Sequence, residues 1–251
     1  MAYNQAVSSM LAATRRHLPR GFADLGRQFA IWFGFLIVYQ VTRGFADRHP
    51  ERAIANGLRV VRIETDVTHR LYELTFQNFV DQRVWLEKLV SWTYWNSEFT
   101  VLGIALLWVY FRRHDLFYGF RNSVLLANVL GLFGYFFMPT APPRLLGLGF
   151  VNAHRDGLVT LAANPYAAMP SLHAADSLIV GVVLACVVRH WWAKAFWIAW
   201  PAWVWFAVMA TGNNFWLDCL AGFGVALIAM AIVYRGKFRR SLAAAPKLDP
   251  A

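Results

Sequence analysis

Helix-length apolar runs set the terms for this chain. Six stand out, at about residues 29–41, 92–111, 122–138, 171–188, 193–210 and 215–234. A bilayer core takes roughly 20 apolar residues to cross as a helix, so each run reads as a membrane span. The first is short and is expected to extend through its polar flanks. Only 15% of the residues are charged and 58% are apolar, whereas soluble domains carry about 25% charged residues. The expected fold is all-α: a polytopic membrane protein with six transmembrane helices and an amphipathic helical segment between the first and second.

The polar remainder divides around that membrane domain, which is expected over 28–235. Residues 1–27 carry Arg15, Arg16, Arg20 and Arg27 with one acid, Asp24, and have no early apolar core. They read as a cytoplasmic segment, and the first run reads as an uncleaved anchor rather than a signal peptide. Residues 43–88 mix eight basic side chains with seven acidic ones. Within them Ile54, Leu58, Val61, Ile63, Val67, Leu71 and Leu74 recur at helical spacing. Two readings fit: helices on the membrane face or capping the bundle, and a water-facing pair of linker helices. Residues 236–251 form a basic tail.

Charge orients the domain. Short segments on the terminal side carry Arg112, Arg113, Arg121, Arg189, Lys194 and the run from Arg235 to Lys247, while the opposite loops after the second span carry only Arg144 and Arg155. By the positive-inside rule both termini are cytoplasmic in the cell membrane. The net charge of +10 then fits basic cytoplasmic segments beside anionic lipid. Nothing resembles a nucleic-acid module. Cys186 and Cys219 sit in apolar runs and form neither a disulfide framework nor a metal-ligand spacing. No cofactor is expected.

Three polar stretches fall on the extracytoplasmic face of this topology. One runs Asn164-Pro165-Tyr166-Ala167-Ala168-Met169-Pro170-Ser171-Leu172-His173 into an apolar helix. A helix start offers unpaired N–H groups and positive potential, a ready phosphate site. Ser171 fits an N-cap, which leaves its hydroxyl able to donate to a phosphate. His173 reads either as a satisfied core histidine or as a general acid for a leaving alkoxide. Asp176, one turn on, is structural or tunes the site. The second stretch holds Arg144 after Pro142 and Pro143: a bidentate phosphate clamp, or an anchor snorkelling to headgroups. In the third, Asn214 and Asp218 are four apart, hence expected on one helical face. They read as a cap with an interfacial carboxylate, or as the place of an oriented nucleophile were position 214 a histidine. Glu98, inside the second span, is a functional ionisable group or an interfacial carboxylate. With Tyr166 and Asp176 it completes the accessory candidates.

The order Pro-Pro-Arg, then Met-Pro-Ser-Leu-His-Ala-Ala-Asp, then Thr-Gly-Asn-x-x-x-x-Asp-x-x-Ala-Gly resembles the type 2 phosphatidic acid phosphatase superfamily. The likeness is greater to the branch with inositol phosphorylceramide synthases and many actinobacterial membrane proteins. It spans about residues 90–235. Such a resemblance implies six helices, a site on the outer face, and metal-free hydrolysis or transfer of lipid phosphates through a phosphohistidine. It assigns Arg144 and Ser171 to phosphate binding, His173 to general acid and Asp218 to orienting the nucleophile.

Three departures stand out. Phe137 occupies the place of the superfamily's first-motif lysine, and Ala207 and Val208 replace its Ser-Arg, as in the transferase-like branch. Asn214 stands where the nucleophilic histidine belongs, and an amide is no nucleophile for phosphoryl transfer. Three explanations fit: a replacement that traps substrate, a natural pseudoenzyme that binds lipid phosphate, or recruitment of His173 as nucleophile. The expected function is a lipid phosphatase or phosphotransferase, inactivated at Asn214. Its substrate would be phosphatidic acid, a polyprenyl phosphate or a phosphoinositol lipid, and the acceptor water, a lipid or a polyol. The competing classes are a lipid-phosphate binder or transporter, with Glu98 and Asp176 as gating groups, and a membrane scaffold. The sequence is silent on oligomeric state.

Overall fold

A computed structural model describes residues 18–45, 50–150 and 166–243. Residues 1–17, Arg155, Asn164, Pro165 and Lys247 lie outside the described residues. The elements are α1 (Gly21–Phe45), α2 (Pro50–Thr68), α3 (Tyr72–Asp81), α4 (Val84–Asn96), a π turn (Ser97–Val101), α5 (Leu102–Arg112), α6 (His114–Phe137), a 3-10 turn (Pro143–Leu145), α7 (Leu172–Val187), α8 (Trp191–Ala210) and α9 (Trp216–Ala243). No strand occurs among the described residues; one isolated bridge joins Thr140 to Ala167.

The chain is an all-α polytopic membrane protein. Gly21–Tyr39, His114–Phe137, Trp191–Ala210 and Trp216–Arg235 are long and apolar enough to cross a bilayer, and Leu172–Val187 is a shorter apolar helix. The second expected span is a broken helix: α4 continues through the π turn into α5. The first helix begins at Gly21 rather than near residue 29, since the polar flank up to Gln28 joins it. Phe33, Ile37, Phe133, Phe136, Ile198 and Ile228 are all more than half exposed. An apolar surface on that scale is a lipid-facing surface. Inside, Val109, Phe120, Val124, Ala127, Ala175, Ile179, Val204 and Val208 form the core, with α7 packed among α6, α8 and α9.

The stretch after α1 settles into the bundle-capping arrangement, with its faces reversed from the simple expectation. Ile54, Leu58, Ile63 and Val67 are exposed, while Ala53, Asn56, Gly57, Val60 and Glu64 are buried. The apolar stripe of α2 therefore faces outward, and a stripe of small and polar residues packs on the domain. The contact is close enough to use backbone. Ala141 N–H donates to Ala53 O at 3.0 Å, and Asn56 Nδ2 donates to Pro139 O at 2.8 Å. A Cβ at Gly57 would come within 2.7 Å of Ala141 O, tighter than side-chain carbons tolerate.

Candidate functional site

The three polar stretches come together because their backbones bind one another. Thr140 N–H donates to Tyr166 O at 2.9 Å and Ala168 N–H to Thr140 O at 3.1 Å, which ties the first motif to the second. Arg144 N–H donates to Gly212 O at 3.1 Å, which ties the first to the third. Gly212 sits at φ +64°, a turn conformation that favours glycine. Ser171 N–H donates to Asp218 O at 2.9 Å, and a Cβ on Gly222 would overlap the Ser171 carbonyl. The glycine of the third motif thus lets α9 lie against the start of α7.

These ties frame a narrow polar cleft, whose walls include Arg144, Ser171, His173, Asn213, Asn214 and Glu98. Ser171 caps α7: its Oγ accepts from Ala174 N–H at 3.3 Å and donates to Asn214 Oδ1 at 3.2 Å. The first turn of α7, with Leu172 and His173 on the wall, turns its positive end to the cleft. Arg144 hydrogen-bonds Asn213 Oδ1 through its guanidinium. Asn213 is fixed in turn by donating to Thr211 Oγ1 at 2.7 Å. Sequence reasoning included Asn213 in the motif without giving it work; its position beside Arg144 supplies that work.

His173 is held from two sides. Its Nε2 lies 3.3 Å from Glu98 Oε2, and the Tyr94 ring stacks on the imidazole at 4.6 Å, tilted 13°. Glu98 sits in the π turn, an irregularity that re-aims a helical side chain and occurs often at functional sites. Tyr39 and Tyr135 also line the cleft and were not foreseen. Their signal in the sequence is weak, since tyrosines are common at span ends.

Asn214 precedes α9 and does not share a helical face with Asp218. Its N–H donates to Val208 O at 3.2 Å, which holds it in the turn. Its Nδ2 donates to Ala168 O at 2.7 Å. Asp218 is fully buried behind it, at the third position of the helix. Oδ2 accepts from Phe215 N–H at 2.8 Å, half of a capping box. Oδ1 is buried and receives no hydrogen bond. Two accessory candidates lie off the cleft wall. Asp176 is buried and accepts from Asn128 Nδ2 at 3.0 Å, joining α7 to α6. Tyr166 supplies its carbonyl to the bridge with Thr140. Among the described residues no cluster of His, Cys, Asp and Glu is arranged to hold a metal ion.

The fold and the cleft define a class: an all-α polytopic membrane protein with an arginine, a helix start and a carboxylate-held histidine around one polar cleft. The chain matches the family model of the PAP2 superfamily over residues 58–232 and belongs to that superfamily. It is 28% identical over 157 residues to the phosphoinositol dihydroceramide synthase of Bacteroides thetaiotaomicron, covering 53% of this chain. The chain spans 50% of that relative's length. The crystal structure of Aquifex aeolicus LpxE shares the fold, with a TM-score of 0.53 and 18% identity over 64% of this chain and 93% of the other.

Proposed function

We propose that this chain carries the site of a lipid-phosphate phosphatase or phosphotransferase, held inactive by Asn214. The observation that carries the reading is the buried, unpartnered Oδ1 of Asp218 next to a position 214 that fronts the cleft. A buried carboxylate oxygen without a donor is costly. A histidine at position 214 would give it an N–H and turn the opposite ring nitrogen to the cleft. Membership in the superfamily supports the same chemistry.

In the Asn214→His chain, Arg144, the Ser171 hydroxyl and the first turn of α7 hold the phosphate. The imidazole nitrogen at position 214 attacks phosphorus, and a P–N bond forms as the P–O bond to the lipid breaks. His173, held by Glu98, gives its proton to the departing oxygen. Water, or a hydroxyl of a lipid or polyol, then attacks phosphorus and loses its proton to His173 as the P–N bond breaks. Donors fixed around the equatorial oxygens supply most of the stabilisation. The site faces the extracytoplasmic side and both termini are cytoplasmic. Supporting this, Arg112 and Arg121 lie at the end of the second and third spans far from the cleft, which Tyr135 lines near the other end of α6.

The test is phosphate release and lipid-to-lipid transfer from a panel of lipid phosphates, for this chain and its Asn214→His variant, in detergent with chelator. Turnover only in the variant is expected. Turnover in this chain at the variant's rate would sink the mechanism. One observation favours a second reading, a natural binder of lipid phosphates: the Asn214 amide is well accommodated, with bonds to Ser171 and Ala168. Retained binding with no turnover in either chain would select that reading.

A further inference from the structure

Three carboxylates from three helices meet at the start of α9. Asp218 takes the N–H of Phe215, as described. The next two amides are taken from outside the helix. Trp216 N–H donates to Glu73 Oε1 at 2.8 Å, and Leu217 N–H donates to Glu64 Oε1 at 2.9 Å. Glu73 comes from α3 and Glu64 from α2. Both are fully buried. The second oxygen of each receives no hydrogen bond.

Burial raises both carboxyls, which favours one proton on the pair. One proton also resolves the electrostatics. Two buried anions beside Asp218 would be strongly unfavourable, whereas a single shared negative charge faces the positive end of α9. Glu64 and Glu73 grip the first turn from two directions.

We propose that Glu64 and Glu73 are positioning residues that fix the first turn of α9 and hold Asp218 and position 214 against Ser171. The grip itself stands apart from any chemistry; only its kinetic consequence rests on the phosphotransferase reading above. The capping helices α2 and α3 thereby become part of the site, although neither supplies a residue to the cleft wall.

Hydrogen exchange read by mass spectrometry on the full chain in detergent tests the grip without turnover. Glu64→Ala and Glu73→Ala are expected to speed exchange across residues 214–219 by about tenfold, with α8 unchanged. Glu64→Asp, a milder break that keeps the charge and shortens the reach, is expected to do so by a smaller factor. Glu64→Gln keeps an oxygen for Leu217 N–H and is expected to stay within about twofold of the parent. Unchanged exchange in the alanine and aspartate variants would overturn the proposal, as would a glutamine variant as disturbed as the alanine one. In the Asn214→His chain, Glu64→Asp and Glu73→Ala should lower kcat about tenfold or more with KM within about threefold. A raised KM at constant kcat would overturn the positioning role. If the Asn214→His parent shows no turnover, the phosphotransferase reading fails by itself, and exchange alone decides the grip.

Discussion

Glu98 Oε2 stands 3.3 Å from His173 Nε2, so the histidine on α7 is aimed by a carboxylate from the π turn of a different span. The Tyr94 ring stacks on the face of the same imidazole. A residue that orients a proton donor affects the chemical step more than binding. In the Asn214→His chain, Glu98→Gln is expected to lower kcat about tenfold while KM changes less than threefold, because general acids contribute roughly 10²- to 10⁴-fold and misorientation loses part of that. Steady-state kinetics on a lipid phosphate checks it. An unchanged kcat would remove Glu98 from the mechanism.

Arg144 reaches the cleft from a backbone held by Pro142, Pro143 and the bond to Gly212 O. Its guanidinium is bonded to Asn213, which orients it. Arg144→Ala is expected to weaken lipid-phosphate binding about tenfold or more, consistent with about 1.5–3 kcal/mol for a hydrogen bond to a charged group. Arg144→Lys restores charge without the planar fork and should recover only part. Asn213→Ala should lie between the parent and Arg144→Ala. Binding of a fluorescent lipid phosphate to each variant in nanodiscs provides the measurement, and an Arg144→Ala affinity equal to the parent's would exclude the clamp.

The convergence of the stretches that hold Arg144, Ser171, His173 and Asp218 was legible in the sequence, because a Ser and a His at the start of an apolar helix are hard to explain by packing alone. Their motifs fixed which spans must converge. Glu64 and Glu73 were not legible. They lie in a stretch where acids nearly balance bases, so they read as part of a solvated face. The apolar periodicity of α2 misleads further, since Ile54, Leu58, Ile63 and Val67 face outward and the buried side is the small and polar one. The π turn was hidden for another reason: Ser97–Val101 has no breaker, and only the position of Glu98 against His173 reveals its consequence. The expected shared face of Asn214 and Asp218 failed because α9 starts at Trp216, after Phe215 has taken the cap.

The buried acids should also be readable in stability. Burial, and then the neighbouring Glu73 charge, push the Glu64 carboxyl up from 4.5 to about 9. Glu73 is raised as well, chiefly by burial. The folded chain therefore holds a proton that the unfolded chain releases from pH 4.5 upward. The stabilisation linked to that proton is full below pH 4.5 and is lost as pH rises to about 9. The thermal midpoint in detergent is expected to fall between about pH 6 and about pH 9, and Glu64→Gln should flatten that fall. A parent slope equal to the Glu64→Gln slope would mean that Glu64 keeps an ordinary carboxyl.

Close packing at Gly222 gives the site a steric requirement separate from its charges. A Cβ there would overlap the Ser171 carbonyl and crowd the Ala174 side chain, and neither backbone can yield without separating α9 from α7. That separation would stretch the bond from Ser171 N–H to Asp218 O and move position 214 away from the Ser171 hydroxyl. Gly222→Ala is therefore expected to cost about 1–3 kcal/mol, the usual range for overpacking, and to lower the thermal midpoint by several degrees. Gly224, two residues along, meets nothing within 4 Å. Gly224→Ala should leave the midpoint unchanged or slightly raised, since alanine is the better helix former by up to about 1 kcal/mol. Paired thermal unfolding of the two variants separates the steric requirement from helix propensity, because only close approach to Ser171 predicts opposite signs.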